Sequence, residues 1–408
     1  VSDEHASDPD SAADEAGGSA VDATLSEEPK TFPWMRIVQA LISLVIVVGI
    51  FVGVMPLIAD YGEVFETIRA MTGLEVGSIV LIGLWNLATY WFVIVAALPG
   101  LRLREAAVVN QASTAVANTL PGGGAIGVGV TIAMLTSWGF RIASIARSAL
   151  VTGIWNNFVK LGMPVLALAL LALEGGITPA RLAAAAVGIA VLIGAIVAFA
   201  LILKSDRLAR AIGRGVGGIV DWFRKLIHKE PLADWGERAA GFRTDTIGLL
   251  QHRWMMLTFA TVVSHLSLYL VLLATLRNVG VSQDELSWIA VLAAFSFVRL
   301  ISALPITPGG VGVVELGYAA TMTIGLDSTT RAQVVAAILV FRAITYLLPI
   351  PLGAISYVTW RANKTWRLTE DERAELAGDA YTTVEEEDQG SPSGETTSDA
   401  LAGDAESR

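Results

Sequence analysis

The stretch LPITPGGVGVVELG, Leu304 to Gly317, breaks an apolar run with two prolines and two adjacent glycines. A second break, LPGGGAIGVG at Leu120 to Gly129, lies earlier in the chain. Proline lacks the N–H that a helix interior needs, and glycine pays the largest entropy there, so each motif ends a helix. The surrounding solvent decides what that means. Hydrophobic residues make up 54% of the 408-residue chain and the mean hydropathy is +0.60, too apolar for a soluble domain. Crossing a bilayer takes about 20 mostly apolar residues. Six such segments stand at 36–59, 77–98, 143–173, 182–203, 254–276 and 331–359. The two interrupted stretches, 105–139 and 285–325, each have room for two half-helices. The expected fold is an all-α polytopic helical membrane protein with six spanning helices plus two re-entrant broken-helix hairpins. An ordinary Pro/Gly-kinked helix at each motif is the competing reading, and the matching of the two breaks weighs against it.

The net charge of −10 is not spread evenly. Much of the acid falls in 1–35 and 360–408, which are poor in hydrophobic residues and are expected to be disordered cytoplasmic tails. The first apolar run begins late and is long, so 36–59 is read as a spanning helix and not a cleaved signal. The chain has no cysteine, which excludes disulfides and thiolate chemistry, and its four histidines show no HExxH spacing. No metal or other cofactor is expected. Lys and Arg collect in the loop 204–253, among them Lys204, Arg207, Arg210, Arg214, Arg224, Lys225 and Arg243. By the positive-inside rule this loop and both termini are cytoplasmic, and 174–181 is an external loop. Within the loop 204–253, Leu208, Ile212, Val216, Ile219, Trp222, Phe223 and Leu226 recur at helical spacing beside the basic residues, as in an interfacial helix on anionic lipid. Nucleic-acid binding is not expected, because the basic charge lies beside the bilayer.

The chain also repeats. Residues 36–173 and 182–359 both read span, span, broken hairpin, span. Leu120–Pro121 matches Leu304–Pro305, Gly139 matches Gly325, Pro164 matches Pro349, and the same offset lays Asn157 over Arg342. Three full crossings per half turn the second half upside down relative to the first. Inverted repeats with discontinuous helices are a transporter architecture.

Backbone at a hairpin tip has unsatisfied polar groups that lipid cannot tolerate, so the tips imply a cavity. A half-helix beginning after Gly309–Gly310 would aim its free N–H groups and positive dipole end at that cavity, and Gly122, Gly123 and Gly124 offer the same from the other side. Close helix packing is the alternative role for these glycines. Arg299, Glu315 and Arg342 are charges within apolar segments and should converge on the second hairpin. Glu315 neutralises one arginine in this reading and leaves the other for a phosphate. The first half contributes Asn110, Gln111, Asn118, Asn156, Asn157 and Lys160, of which Lys160 and Asn157 are the candidates for a structural or coupling role. Asn86 and His265 are read as interhelical hydrogen-bonding groups.

These motifs, LPGGGAIGVG…Gly139 and LPITPGGVGVVE…Gly325 followed by a span with Arg342, resemble the transmembrane region of lysylphosphatidylglycerol synthase, a flippase-like family of integral membrane proteins. The resemblance covers about 36–360, and Pro308, Gly309, Gly310, Gly312 and Glu315 are its most specific part. The first motif departs from the family pattern, with apolar Ile126 to Ile132 where an acid and an arginine are common. That argues against a charged site in the first hairpin and leaves a glycine-lined one.

The resemblance implies movement of an anionic, aminoacylated or polyprenyl-linked lipid between leaflets. The two-domain synthases add an aminoacyl-transferase domain after this region. Here a short acidic tail stands in that position, so synthase activity is expected to be absent and the protein not to be an enzyme. The expectation is a bacterial or archaeal plasma-membrane carrier for phosphate-bearing lipids, with envelope-assembly proteins as further partners. The runner-up is an accessory or enzymatic subunit of lipid-linked glycan assembly, disfavoured by the lack of a DDxxD-like or HxxxH-like cluster. A third reading is an ion-coupled solute transporter with Glu315 as proton carrier. No GxxxxGK[ST] motif is present, so no nucleotide-driven step is expected.

Overall fold

The computed structural model describes residues 55–120, 123–173, 179–226, 234–302, 307–363 and 371–376, with scattered positions beyond them. Among these the fold is all-α, with twelve α-helices and no strand. In order they are α1 (Tyr61–Ala70), α2 (Gly73–Ala97), α3 (Leu103–Thr119), α4 (Gly123–Thr136), α5 (Ile142–Leu173), α6 (Pro179–Lys204), α7 (Asp206–Leu226), α8 (Trp235–Asn278), α9 (Trp288–Ile301), α10 (Val313–Met322), α11 (Ser328–Arg342) and α12 (Pro349–Ala362). Five stretches are long and apolar enough to cross a membrane: α2, α5, Ala183–Lys204 of α6, α8, and Ser328–Ala362 formed by α11 and α12. The protein is a multi-pass membrane protein. The sixth expected span, 36–59, lies largely outside the described residues, as do the tail 1–35 and the tip residues Pro121, Gly122 and Leu304–Ile306.

Neither interrupted segment is a kinked continuous helix. Helix α4 folds back antiparallel on α3: a Cβ at Gly123 would meet the carbonyls of Val116 and Ala117, and one at Gly127 the Ser113 carbonyl at 2.8 Å. Glycine at those two positions is what lets the backbones approach. Helices α9 and α10 pair in the same way, with Gly317 against Val298. The arms have 17, 14, 14 and 10 residues, or about 15–25 Å each, short of the ~30 Å hydrocarbon thickness.

Each broken pair leans on a long helix from the other half of the chain. Helix α3 packs along α12, where Gly353 sits against the Gln111 carbonyl and Ala115, and α9 packs on α5. Helices α2 and α8 pack on each other. Helix α11 is enclosed on every face, with Val334, Val335, Ala336, Ala337 and Ile338 fully buried, as expected of a helix that is apolar all round.

Within the loop 204–253, residues 206–226 and 235–253 are helical. Helix α8 has 44 residues, about 66 Å, twice the hydrocarbon thickness, and its first part carries α7. The small face of α7, Ala209, Gly213 and Gly217, lies on Trp235 and Ala239, and Trp235 Nε1 donates to Asp221 at 3.1 Å. Leu208, Ile212, Val216 and Trp222 remain exposed beside Arg207, Arg210 and Arg214. The side chains of Ile219, Phe223, Arg224, Lys225 and Leu226 lie outside the described residues.

The start of the segment expected to be a disordered tail, 360–408, is ordered, and this corrects the expectation. Trp366 stacks edge-on against Trp138 with centroids 5.9 Å apart. Residues 371–376 are helical, and Arg373 is buried: it donates to the carbonyls of Trp138 (2.9 Å) and Gly100 (3.0 Å) and pairs with Glu105 at 3.1 Å. A fully buried carboxylate such as Glu105 requires that partner. Composition hid this contact because one arginine among acids does not look like a core residue. Residues 379–408 lie outside the described residues.

Candidate functional site

Helix α11 delivers Arg342 in its last turn, and the chain then widens into a π-helical turn, Ala343–Leu347, before Pro349 opens α12. Pro349 offers no N–H to the carbonyl four residues back, and its ring needs room there, so the wider turn relieves the clash. This turn brings Tyr346 over the Arg342 guanidinium, 4.8 Å from the ring centroid. Arg342 Nε donates to Glu315 Oε1 at 2.6 Å, and its second arm donates to the Gly309 carbonyl at 3.0 Å. Gly309 has φ +61°, and a Cβ there would run into the Tyr346 ring, so glycine is required twice over. Tyr346 also ties in the first broken pair. Its hydroxyl donates to the Asn118 carbonyl at 2.7 Å, and Asn118 Nδ2 donates to the Tyr346 carbonyl at 3.1 Å.

Behind this cluster lies a half-enclosed cavity of about 580 Å³. Its wall is unusually polar for membrane depth: Asn86, Tyr90, Asn110, Asn156, Lys160, His265, Arg299, Gly309, Tyr318 and Arg342 all face it. Asn86 donates to the Ser264 carbonyl (3.1 Å) and Asn156 to the Tyr90 hydroxyl (3.2 Å), so both amides are anchored between helices. His265 Nδ1 lies 3.0 Å from the Thr261 carbonyl. That carbonyl can only accept, which puts a proton on Nδ1 and leaves Nε2, buried and without a partner, free in the neutral ring to accept.

The charges do not balance. Glu315 and Arg342 cancel, but Arg299 has its Nε buried with no hydrogen-bond partner, and Lys160 has no hydrogen-bond or ion-pair partner among the described residues. An intramembrane cation costs at least about 2.5–3.5 kcal/mol on insertion scales. Two of them facing one cavity is an arrangement that an anion would relieve. Among the described residues, no group of three acids or histidines gathers as a metal would require.

The fold thus brings together Arg299, Arg342, Glu315, Gly309 and Lys160 from the residues singled out in the sequence. Glu315 selects Arg342, and Arg299 is the arginine left over. Gly310 has φ +69° and helps to form the turn before α10. Asn157 is exposed on α5 while its neighbour Asn156 faces the cavity; the repeat offset is one residue out for this purpose. The glycines of the first pair play a different part from the one expected. Among the described residues, Gly123 packs α4 on α3, Gly124 faces open space, and neither lines the cavity; Gly122 lies outside the described residues. Tyr90, Tyr318 and Tyr346 were missed by sequence reasoning. The available signal for Tyr346 was its place between Arg342 and Pro349, where a helix must distort.

Residues 40–353 match the family described as the lysylphosphatidylglycerol synthase TM region. The chain belongs to this family. The matched region contains every cavity-lining residue and stops before Trp366 and Arg373, so the clamp on Glu105 lies beyond the family region. No curated protein matches the chain as a relative.

Proposed function

We propose that the protein carries a phosphate-bearing lipid between the leaflets of a prokaryotic plasma membrane and performs no chemistry of its own. The observation that carries this reading is the unbalanced cavity: two cations without a partner among the described residues, Arg299 and Lys160, face about 580 Å³ of half-enclosed polar space in a membrane protein of the flippase-like family. A phosphate oxygen accepts charge-assisted hydrogen bonds from both cations, and the lipid tails stay in the bilayer.

In this reading the two broken pairs are re-entrant hairpins entering from opposite faces, and the halves form an inverted repeat. Reciprocal packing supports that: α3 on α12, α9 on α5, and α2 on α8. So do the matched left-handed glycines, Gly100 with Gly280 and Gly139 with Gly325. Both termini are cytoplasmic. Helix α7 then lies at the cytoplasmic surface, with its exposed apolar row toward lipid and its arginines toward anionic head groups.

The test is transport by the purified protein in liposomes, following tagged lipids with a leaflet-specific quencher. Tagged phosphatidylglycerol should redistribute faster than in protein-free vesicles, and a phosphate-free glycolipid with the same tails should not. Equal acceleration of both would contradict phosphate recognition, and acceleration of neither would contradict carriage.

A further inference from the structure

The charge count in the cavity says more than that an anion binds; it says how much charge the anion carries. Arg342 is committed on three sides, to Glu315, to the Gly309 carbonyl and to the face of Tyr346. Its charge is therefore spent before any ligand arrives. Arg299, from α9 of the second pair, and Lys160, from α5 on which α9 packs, have no hydrogen-bond or ion-pair partner among the described residues, and they face the same space. Arginine cannot discharge by losing its proton. A phosphodiester head group carries one negative charge, enough for Arg299 alone, whereas a second negative charge beside Lys160 holds that amine in its ammonium form and pairs with it. A phosphate monoester carries about −1.5 to −2 at neutral pH and offers three terminal oxygens, enough to meet both cations and still accept from a neutral donor such as the Asn110 amide.

We infer that the cavity is matched to a phosphate monoester on a lipid tail, and that Arg299 and Lys160 together read its second charge. This rests on the proposed reading of the cavity as a phosphate site. Arg299 and Lys160 set specificity, whereas Arg342 and Glu315 hold the wall against which the head group lies. Asn86 and Asn156 are engaged between helices and do not distinguish one ester from another.

The test compares ligands that differ by one methyl group. Binding of farnesyl monophosphate, its phosphate methyl ester and phosphate-free farnesol is measured on the full chain in detergent by titration calorimetry. One additional charge-assisted contact predicts that the monophosphate binds at least about tenfold tighter than the methyl ester. Lys160→Gln and Arg299→Gln should each bring that ratio below about threefold, by weakening the monophosphate while leaving the methyl ester within about twofold. Equal binding of the two esters, both tighter than farnesol, overturns this inference and leaves phosphate recognition intact. Equal binding of all three overturns the phosphate site itself. The wild-type ratio needs no variant, so a misfolded substitution does not blunt the test. If a folded variant loses both esters alike, its residue is structural and the assignment fails. Inorganic phosphate is the tail-free arm: competition no better than millimolar supports a lipid ligand, and competition equal to farnesyl monophosphate assigns the site to free phosphate and overturns the lipid part.

Discussion

The two broken helix pairs start from similar sequences and end with different duties. In the first, α3 and α4 meet through glycine, their apolar arms contain no charge near the tip, and the pair is fastened at both ends. Asn118 exchanges hydrogen bonds with Tyr346 at one end, and Arg373 is buried on Glu105 at the other. In the second, α9 brings Arg299 to the cavity and α10 brings Glu315 to Arg342 at its wall, and among the described residues Arg299 finds no such partner. The first pair is a fixed wall and the second is the charged face. The contrast teaches that an LP…G break supplies the geometry of a half-helix pair, while the charges along its arms decide whether it addresses a ligand.

Removing Arg373 should give the largest effect on the wall. Arg373→Ala leaves the Glu105 carboxylate fully buried and unpaired, and loss of one partner from such a pair costs about 3–5 kcal/mol. Thermal unfolding in detergent should register that loss, while ester binding by whatever remains folded stays within about twofold, because neither Arg373 nor Glu105 lines the cavity. Glu315→Gln should cost less, about 2–3 kcal/mol, because Arg342 keeps the Gly309 carbonyl and the Tyr346 face. Adding Arg342→Gln to it should recover part of the loss in a double-mutant cycle; additive losses would show that the two side chains are not coupled.

Glycine substitutions separate the pairs at a smaller scale. Gly309→Ala places a side chain at φ +61° against Tyr346 and should destabilise by about 1–2 kcal/mol. Gly124→Ala lies in a helix with open space around it and should be neutral or stabilising by up to about 1 kcal/mol. A penalty at Gly124 equal to that at Gly309 would erase the distinction drawn between the tips.

The smallest effect concerns the loop that leads into the second pair. The Glu285 carboxyl is held below its ordinary 4.5 by the Ser282 backbone N–H, then by the Ser282 and Thr330 hydroxyls. A lowered folded pKa contributes stability that is present above the ordinary carboxylate range and is lost as pH falls through the folded value. Amide protection at the start of α9 should therefore decline on acidification in the wild-type protein, and the decline should be weaker in Ser282→Ala.

Much of this was legible in the sequence, for identifiable reasons. Five of the six expected spans correspond to the long apolar helices, because twenty apolar residues in a row have few other uses. Pro and Gly at Leu120–Gly129 and Leu304–Gly317 marked both folds of the chain. The convergence of Arg299, Glu315 and Arg342 followed from the cost of isolated charge in an apolar segment. What could not be read was partner choice. Whether Glu315 meets Arg299 or Arg342 depends on how α10 packs against α9 and α11, a contact between separate helices that no periodicity announces. Nor could the sequence show that Asn156 and not Asn157 faces the cavity, since a helix turns by about 100° between neighbours. Glu105 with Arg373 is a contact between residues 268 apart, and nothing local to either one foretold it.

Arg299 offers the most direct measurement of the central claim, because a binding cation and a structural one respond to removal with opposite signs. If Arg299 is an unpaired charge kept for a phosphate, Arg299→Gln should leave the empty protein as stable as wild type or more so, while redistribution of a lipid phosphate monoester in liposomes falls at least about tenfold. A variant that unfolds more readily yet still moves the lipid at the wild-type rate would contradict the account, and would make Arg299 part of the wall.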